Sequence, residues 1–174
     1  MNKKNMIKPL AFAAALACAL PSAWVMAADV HSAEAAKGSY VATQGNLGIT
    51  LPWSRALPPS AHTGALFVSI HNQGGKDHLV SAHTDIAEKT ELHTHVHEGG
   101  LMKMQQVEQI EVPAGATLEL APGGYHIMLI GLREPLREGM RFPVRLKFAV
   151  AGSVELEAEV KSMDAGTGAE HLHH

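Results

Sequence analysis

Punctuation restricts the fold of this chain more than any other feature. Turn signals rich in Gly and Pro recur at Asn72-Gln73-Gly74-Gly75, Glu98-Gly99-Gly100, Pro113-Ala114-Gly115, Pro122-Gly123-Gly124 and Ala151-Gly152. The segments between them carry strand-type patterns and no long helical period. Strands are predicted over residues 47–51, 65–70, 78–83, 90–96, 101–107, 127–132, 142–150 and 154–160. Short strands at this spacing, separated by Gly and Pro, argue for an antiparallel sandwich or barrel. At 174 residues the chain fits one such domain with short extensions, and no internal repeat is evident.

The extensions differ in kind. Residues 1–27 read as a secretory signal: Lys3, Lys4 and Lys8 precede an apolar run over 9–20, and Val25-Met26-Ala27 offers cleavage before Ala28. The run is too short to span a bilayer. Residues 28–44 are small or polar and read as a flexible leader, 45–161 as the folded domain, and 162–174 as a flexible His-rich tail. Cys18 lies in Ala15-Leu16-Ala17-Cys18, a faint lipoprotein-type box whose larger aliphatic residue sits one place too late. Lipidation is therefore disfavoured and a periplasmic protein is expected. With 14 Lys+Arg against 17 Asp+Glu there is no basic face for nucleic acid.

Removing the signal removes Cys18, the sole cysteine, and none of the 12 histidines. The methionines that remain are Met102, Met104, Met128, Met140 and Met163. Imidazole and thioether donors without a thiolate point to particular metals. Glu91-Leu92-His93-Thr94-His95-Val96-His97 alternates strictly, so as a strand it places three histidines on one face and Leu92 and Val96 on the other. Leu101-Met102-Lys103-Met104 repeats the pattern with two thioethers, and Tyr125-His126-Ile127-Met128 with one imidazole and one thioether. Thioether sulfur is a soft, uncharged ligand that prefers Cu(I), while imidazole binds either copper oxidation state. For Met140, His62, His71, His78 and His83, core filling or solvation is the ordinary reading.

The spacing of these donors is specific. His93, then ten residues to Met104, then twenty-one to His126, then one to Met128, follows the pattern H-x10-M-x21-H-x-M. In this the chain resembles the PCu(A)C family of periplasmic copper chaperones, and the likeness extends over about residues 47–160 through flanks such as Glu91-Leu92-His93 and Pro122-Gly123-Gly124-Tyr125. The resemblance implies an all-β, cupredoxin-like antiparallel Greek-key sandwich or barrel that binds one Cu(I) near its surface and passes it on. Carried over residue by residue, the ligands would be His93, Met104, His126 and Met128. The recipients would be the copper-binding subunit of cytochrome c oxidase or a Sco-type assembly protein, and a monomer is expected.

Strand geometry leaves one alternative open. If Glu98-Gly99-Gly100 closes a regular hairpin, the residue opposite Met104 is His95, with His93 diagonal to it. A bulge or wider loop would change that register, and the family spacing favours His93. His95, His97 and Met102 stand as auxiliary candidates. At the chain ends, His171, His173 and His174, with Met163, form a candidate Cu(II) site. Cleavage after Ala28 would expose Asp29-Val30-His31, whose amine, amides and His31 imidazole suit square-planar Cu(II).

Other functions fit less well. Blue-copper electron transfer needs a cysteine thiolate beside two histidines, and the mature chain has none. A copper redox enzyme, suggested by the His-x-His strand, sits poorly with thioethers that hold copper as Cu(I). Copper buffering or resistance shares the site with delivery and differs only in lacking a recipient.

Overall fold

The computed structural model describes residues 40–166. Regular structure among the described residues is entirely β: β1 (Tyr40–Gln44), β2 (Leu47–Thr50), β3 (Trp53–Arg55), β4 (Thr63–Asn72), β5 (Asp77–His83), β6 (Ala87–Glu98), β7 (Leu101–Gln106), β8 (Ile110–Val112), β9 (Thr117–Leu120), β10 (His126–Leu132), β11 (Arg141–Phe148) and β12 (Ser153–Lys161). The strands join in the order β7-β6-β10-β4-β3-β12-β11-β5-β8.

Strand β4 joins the two sheets of the sandwich. Its first half pairs with β10, Ala65 against Met128 and Leu66 against Ile127. Its second half pairs with β9, Val68 against Leu120, and with β2, Ile70 against Ile49. Inward-facing residues of both sheets meet in one core where Leu66, Val68, Ile70, Leu79, Ile127, Leu129, Leu146 and Phe148 are at most 1% exposed. Burying an aliphatic or aromatic side chain of this size contributes about 1.5–3 kcal/mol, so the domain stands on its apolar packing with no disulfide.

Alternation explains why these segments are strands. In β11 the residues Phe142, Val144, Leu146 and Phe148 are buried while Arg141, Pro143, Arg145 and Lys147 are exposed. Across the ladder, Arg145 faces Glu155 and Arg141 faces Glu159, so the solvent face carries opposite charges. Pro143 is tolerated because the pairing of β11 with β5 begins only at Arg145.

All eight predicted strands are present, and the fold is the all-β sandwich expected, with four differences of detail. The sheet is mixed: β3 runs parallel to β12, with Ser54 beside Val160, while the other strand pairings among the described residues are antiparallel. Strands β3, β8 and β9 were not predicted, being three or four residues long with too few alternations to read. The expected leader 28–44 ends in a strand: β1 pairs with β2, the Tyr40 ring stacks on His71 at 5.9 Å, and Gln44 Nε2 donates to Ala151 O at 2.7 Å. Gly48 makes that placement feasible, since a Cβ there would come within 2.6 Å of the Tyr40 ring. Specific contacts, absent from any apolar periodicity, hold residues 40–44 in place. The first residues of the expected tail also dock: Arg55 Nε donates to Ala165 O at 2.6 Å, and Gly166 lies against Trp53.

Candidate metal centre

The site begins with a turn. Gly99 and Gly100 are the two central residues between β6 and β7, with φ of +60° and +80°, and Glu98 pairs with Leu101 to close the loop. Two central residues with positive φ define the type I′ turn that matches strand twist and gives a regular hairpin. The ladder therefore runs without a bulge from Glu98–Leu101 through His97–Met102 and His95–Met104 to His93–Gln106. On the other side of β6, His126 of β10 pairs with His93, and Met128 pairs with Glu91. Leu92, Ile127 and Leu129 alternate with these residues and are buried at 4%, 0% and 0% exposure. Their burial fixes which face carries the donors: His93 and His95 from β6, Met102 and Met104 from β7, His126 and Met128 from β10.

No bulge or wider loop intervenes, so His95 and not His93 lies directly opposite Met104. His93 lies directly opposite His126. Ring centroids are 5.8 Å apart for His93 and His126 and 5.1 Å for His95 and His126.

A second tight turn orients two of the imidazoles. Ala121-Pro122-Gly123-Gly124 closes with the Gly124 amide donating to Ala121 O at 3.0 Å, with Pro122 preset at the second position and Gly123 at φ +85° in the third. The turn presents the Gly124 carbonyl to His126 Nδ1 at 3.0 Å and to His95 Nδ1 at 3.3 Å. A carbonyl only accepts, so both Nδ1 atoms carry protons, and in the neutral tautomer this leaves each Nε2 as the atom with the lone pair. His93 is set the opposite way. Its Nε2 donates to Glu91 Oε2 at 2.8 Å, and the other Glu91 oxygen pairs with Lys89 Nζ at 2.5 Å. This leaves the lone pair on His93 Nδ1, which is the one buried side-chain nitrogen or oxygen without a hydrogen-bond partner among the described residues. An orphaned buried polar atom costs about 1–3 kcal/mol, a cost that a bound metal ion would offset.

Charge follows from these contacts. Burial holds the His126 imidazole below its ordinary value; the Gly124 hydrogen bond acts against burial, and the nearby His95 and His93 reinforce it. His126 therefore stays neutral near neutral pH, with Nε2 free for a metal. Glu91 is held below the ordinary carboxylate range by hydrogen bonds from Lys89 and then His93, so it remains an anion able to orient the ring.

Four of these donors, His95, Met104, His126 and Met128, line a cavity of about 360 Å³ together with Leu57 and Phe67. Met102 and Met104 are each 56% exposed, and every residue of β7 is exposed. Among the described residues no three His, Cys, Asp or Glu side chains are already gathered to hold a metal. The thioethers of Met104 and Met128 share the cavity wall with the imidazoles of His95 and His126, a donor set whose chemistry suits a soft cation.

The remaining expected residues are dispersed. His97 lies on β6 opposite Met102 in the ladder. Met163 is 56% exposed beyond the end of β12. His31, His171, His173, His174 and Cys18 lie outside the described residues. Met140 packs against the core, and His71 bonds to Thr117 Oγ1 at 2.9 Å, both ordinary structural roles. Sequence reasoning missed the orienting roles of Glu91 and of the Gly124 carbonyl. Glu91 was accessible to it, being two residues before His93 on the same strand face.

Comparison with known proteins places the chain. A family model described as "Putative lipoprotein LpqE-like" matches residues 47–160, the whole core. The "Putative lipoprotein Lxx21020" of Leifsonia xyli subsp. xyli is 38% identical over 112 residues, covering 62% of this chain and 68% of that one. The solution structure of Cu(I)-DR1885 from Deinococcus radiodurans superposes with a TM-score of 0.55 at 30% identity, covering 74% of this chain and 83% of that one. The apo PCuAC domain of PmoF1 does so with a TM-score of 0.60 at 24% identity, covering 70% and 98%, and supports the fold. The expectation that lipidation is disfavoured finds no support here, since both the family and the Leifsonia relative carry lipoprotein names. The family model and these likenesses agree that the chain belongs to the LpqE-like family, which is of the PCuAC type.

Proposed function

We propose that this protein is an exported copper carrier, not an enzyme, that holds one Cu(I) through His93, Met104, His126 and Met128 and hands it to another protein. The observation that carries the reading is the donor set itself: imidazoles with fixed lone pairs and thioethers without any thiolate, on one face of the β7-β6-β10 sheet. Two sulfurs and two nitrogens favour Cu(I) over Zn²⁺ or Mg²⁺, and thioethers do not titrate, so copper is retained in mild acid. The Cu(I) form known for DR1885 supports the same cargo, and the lipoprotein names of its relatives support export.

Delivery follows from exposure. Met104 stands at the rim, where an incoming group can displace a neutral thioether without separating charge. An acceptor bearing thiolates supplies the driving force, since thiolate binds Cu(I) more strongly than thioether. The acceptors proposed are a Sco-type assembly protein and the copper-binding subunit of cytochrome c oxidase. A second, Cu(II) site is proposed in the tail at His171, His173 and His174 with Met163, with His31 as an N-terminal alternative.

The test is to mix the Cu(I)-loaded protein with apo forms of each acceptor and separate them. Copper moving to one acceptor names the recipient. Copper retained against both would make the protein a buffer and overturn delivery.

A further inference from the structure

Strand β6 offers two imidazoles to one copper site, and the structure gives them different positions. His93 is the inner one. Its side chain is 14% exposed, its Nε2 is engaged by Glu91, and its free Nδ1 is buried. His95 is the outer one. It lines the same cavity as Met104, His126 and Met128, pairs directly with Met104 across the hairpin, and sits closer to the His126 ring than His93 does. Its Nδ1 is tied to the same Gly124 carbonyl that holds His126, so the two rings present Nε2 lone pairs from a common anchor.

From this geometry we infer that His95 is a handover ligand: Cu(I) held by Met104, His126 and Met128 exchanges its fourth donor between His93 and His95 as it moves between the interior and the rim. The inference rests on the copper-carrier reading and adds a route to it. Two donor sets that share three ligands let one imidazole leave as the other arrives. A filled d shell imposes no geometric preference of its own on the ion, so passing through three-coordination carries no ligand-field penalty. The outer set places copper beside Met104, the 56%-exposed thioether that an acceptor reaches first. The exchange is a substitution of one neutral nitrogen for another, with no change of oxidation state and no proton released.

His95, Thr94 and Val96 are only partly buried and none belongs to the apolar core, so replacing the ring leaves that core in place. The experiment uses the full mature chain loaded with Cu(I), in wild-type, His95→Ala, His93→Ala and Met104→Leu forms. Equilibrium affinity is measured by competition with bicinchoninate, and release by stopped flow into excess bathocuproine disulfonate. The expected result for His95→Ala is release slowed by about tenfold, a change larger than that in its equilibrium affinity; His93→Ala instead weakens affinity by about tenfold or more and quickens release. His95→Ala releasing copper at the wild-type rate would overturn the handover role. So would a His95→Ala protein that loses affinity while His93→Ala keeps it, which would make His95 the resident ligand. Failure of the copper-carrier reading has a separate signature, in which Met104→Leu also leaves Cu(I) affinity unchanged.

Discussion

Replacing Gly99 with alanine isolates the device that sets the register of the site. Gly99 has φ +60° and a Cβ built on it meets nothing within 4 Å. The cost of the substitution is therefore purely conformational, about 1 kcal/mol for a non-glycine residue held in the left-handed region. Gly100, at φ +80° and equally open, adds a similar amount. The double variant should lose about 2 kcal/mol, or roughly 6–10 °C in Tm for a domain of this size. Gly99→Asn is the informative partner, because Asn tolerates positive φ and Asn-Gly is the preferred type I′ pair; it should stay within about 0.5 kcal/mol of wild type. Molecules with an opened hairpin cannot offer Met104 opposite His95, so apparent Cu(I) affinity falls in proportion to the open fraction. Thermal unfolding followed by circular dichroism, with Cu(I) competition on the same samples, reads both effects. Equal damage from Gly99→Asn and Gly99→Ala, or none from Gly99→Ala, would refute the turn assignment and the register built on it.

Other consequences are as specific. Met104→Leu should leave stability within about 0.5 kcal/mol, since the side chain is 56% exposed, yet weaken Cu(I) binding by at least about tenfold; competition titration checks it. Glu91→Gln removes the anion that fixes the His93 ring and should lower Cu(I) affinity about 10–100-fold, with little loss of fold. Asp77 provides a pH test away from the metal site. Burial alone would raise its pKa from 3.8, but backbone amides of Ala151, Val150 and His78 outweigh burial and hold it lower. Its stabilising contribution is therefore fully present above the unfolded value and is lost as pH falls through the folded one. Asp77→Asn should be less stable at neutral pH and should flatten the acid side of the stability profile, measured by urea unfolding across pH; an unchanged acid slope would contradict this account.

Legibility differed between the core and the site. Long alternating segments such as Phe142-Pro143-Val144-Arg145-Leu146 announced their strands because each buries several side chains on one face. Ser54 in β3 gave no such signal; its partners, Leu66 in β4 and Val160 in β12, are distant in sequence. Tyr40 was hidden for the same reason, since what holds it is His71 and the space left by Gly48. In the site, alternation alone placed the His93–His97 set on one face, and family spacing singled out Met104, His126 and Met128. Whether His93 or His95 faces Met104 depends on the φ angles of two glycines, which the sequence allowed but did not require. The orientation of each ring depends on Glu91 and on the Gly124 carbonyl, and a backbone atom leaves no mark of its own in a sequence.

The central claim is that thioethers and imidazoles together hold Cu(I). X-ray absorption at the copper edge of the Cu(I)-loaded protein tests it most directly. The account predicts a Cu(I) edge and a mixed first shell of two sulfurs and two imidazole nitrogens, at roughly 2.3 and 2.0 Å, with one sulfur lost in Met104→Leu. A shell of nitrogen and oxygen alone, or one unchanged in Met104→Leu, would contradict it.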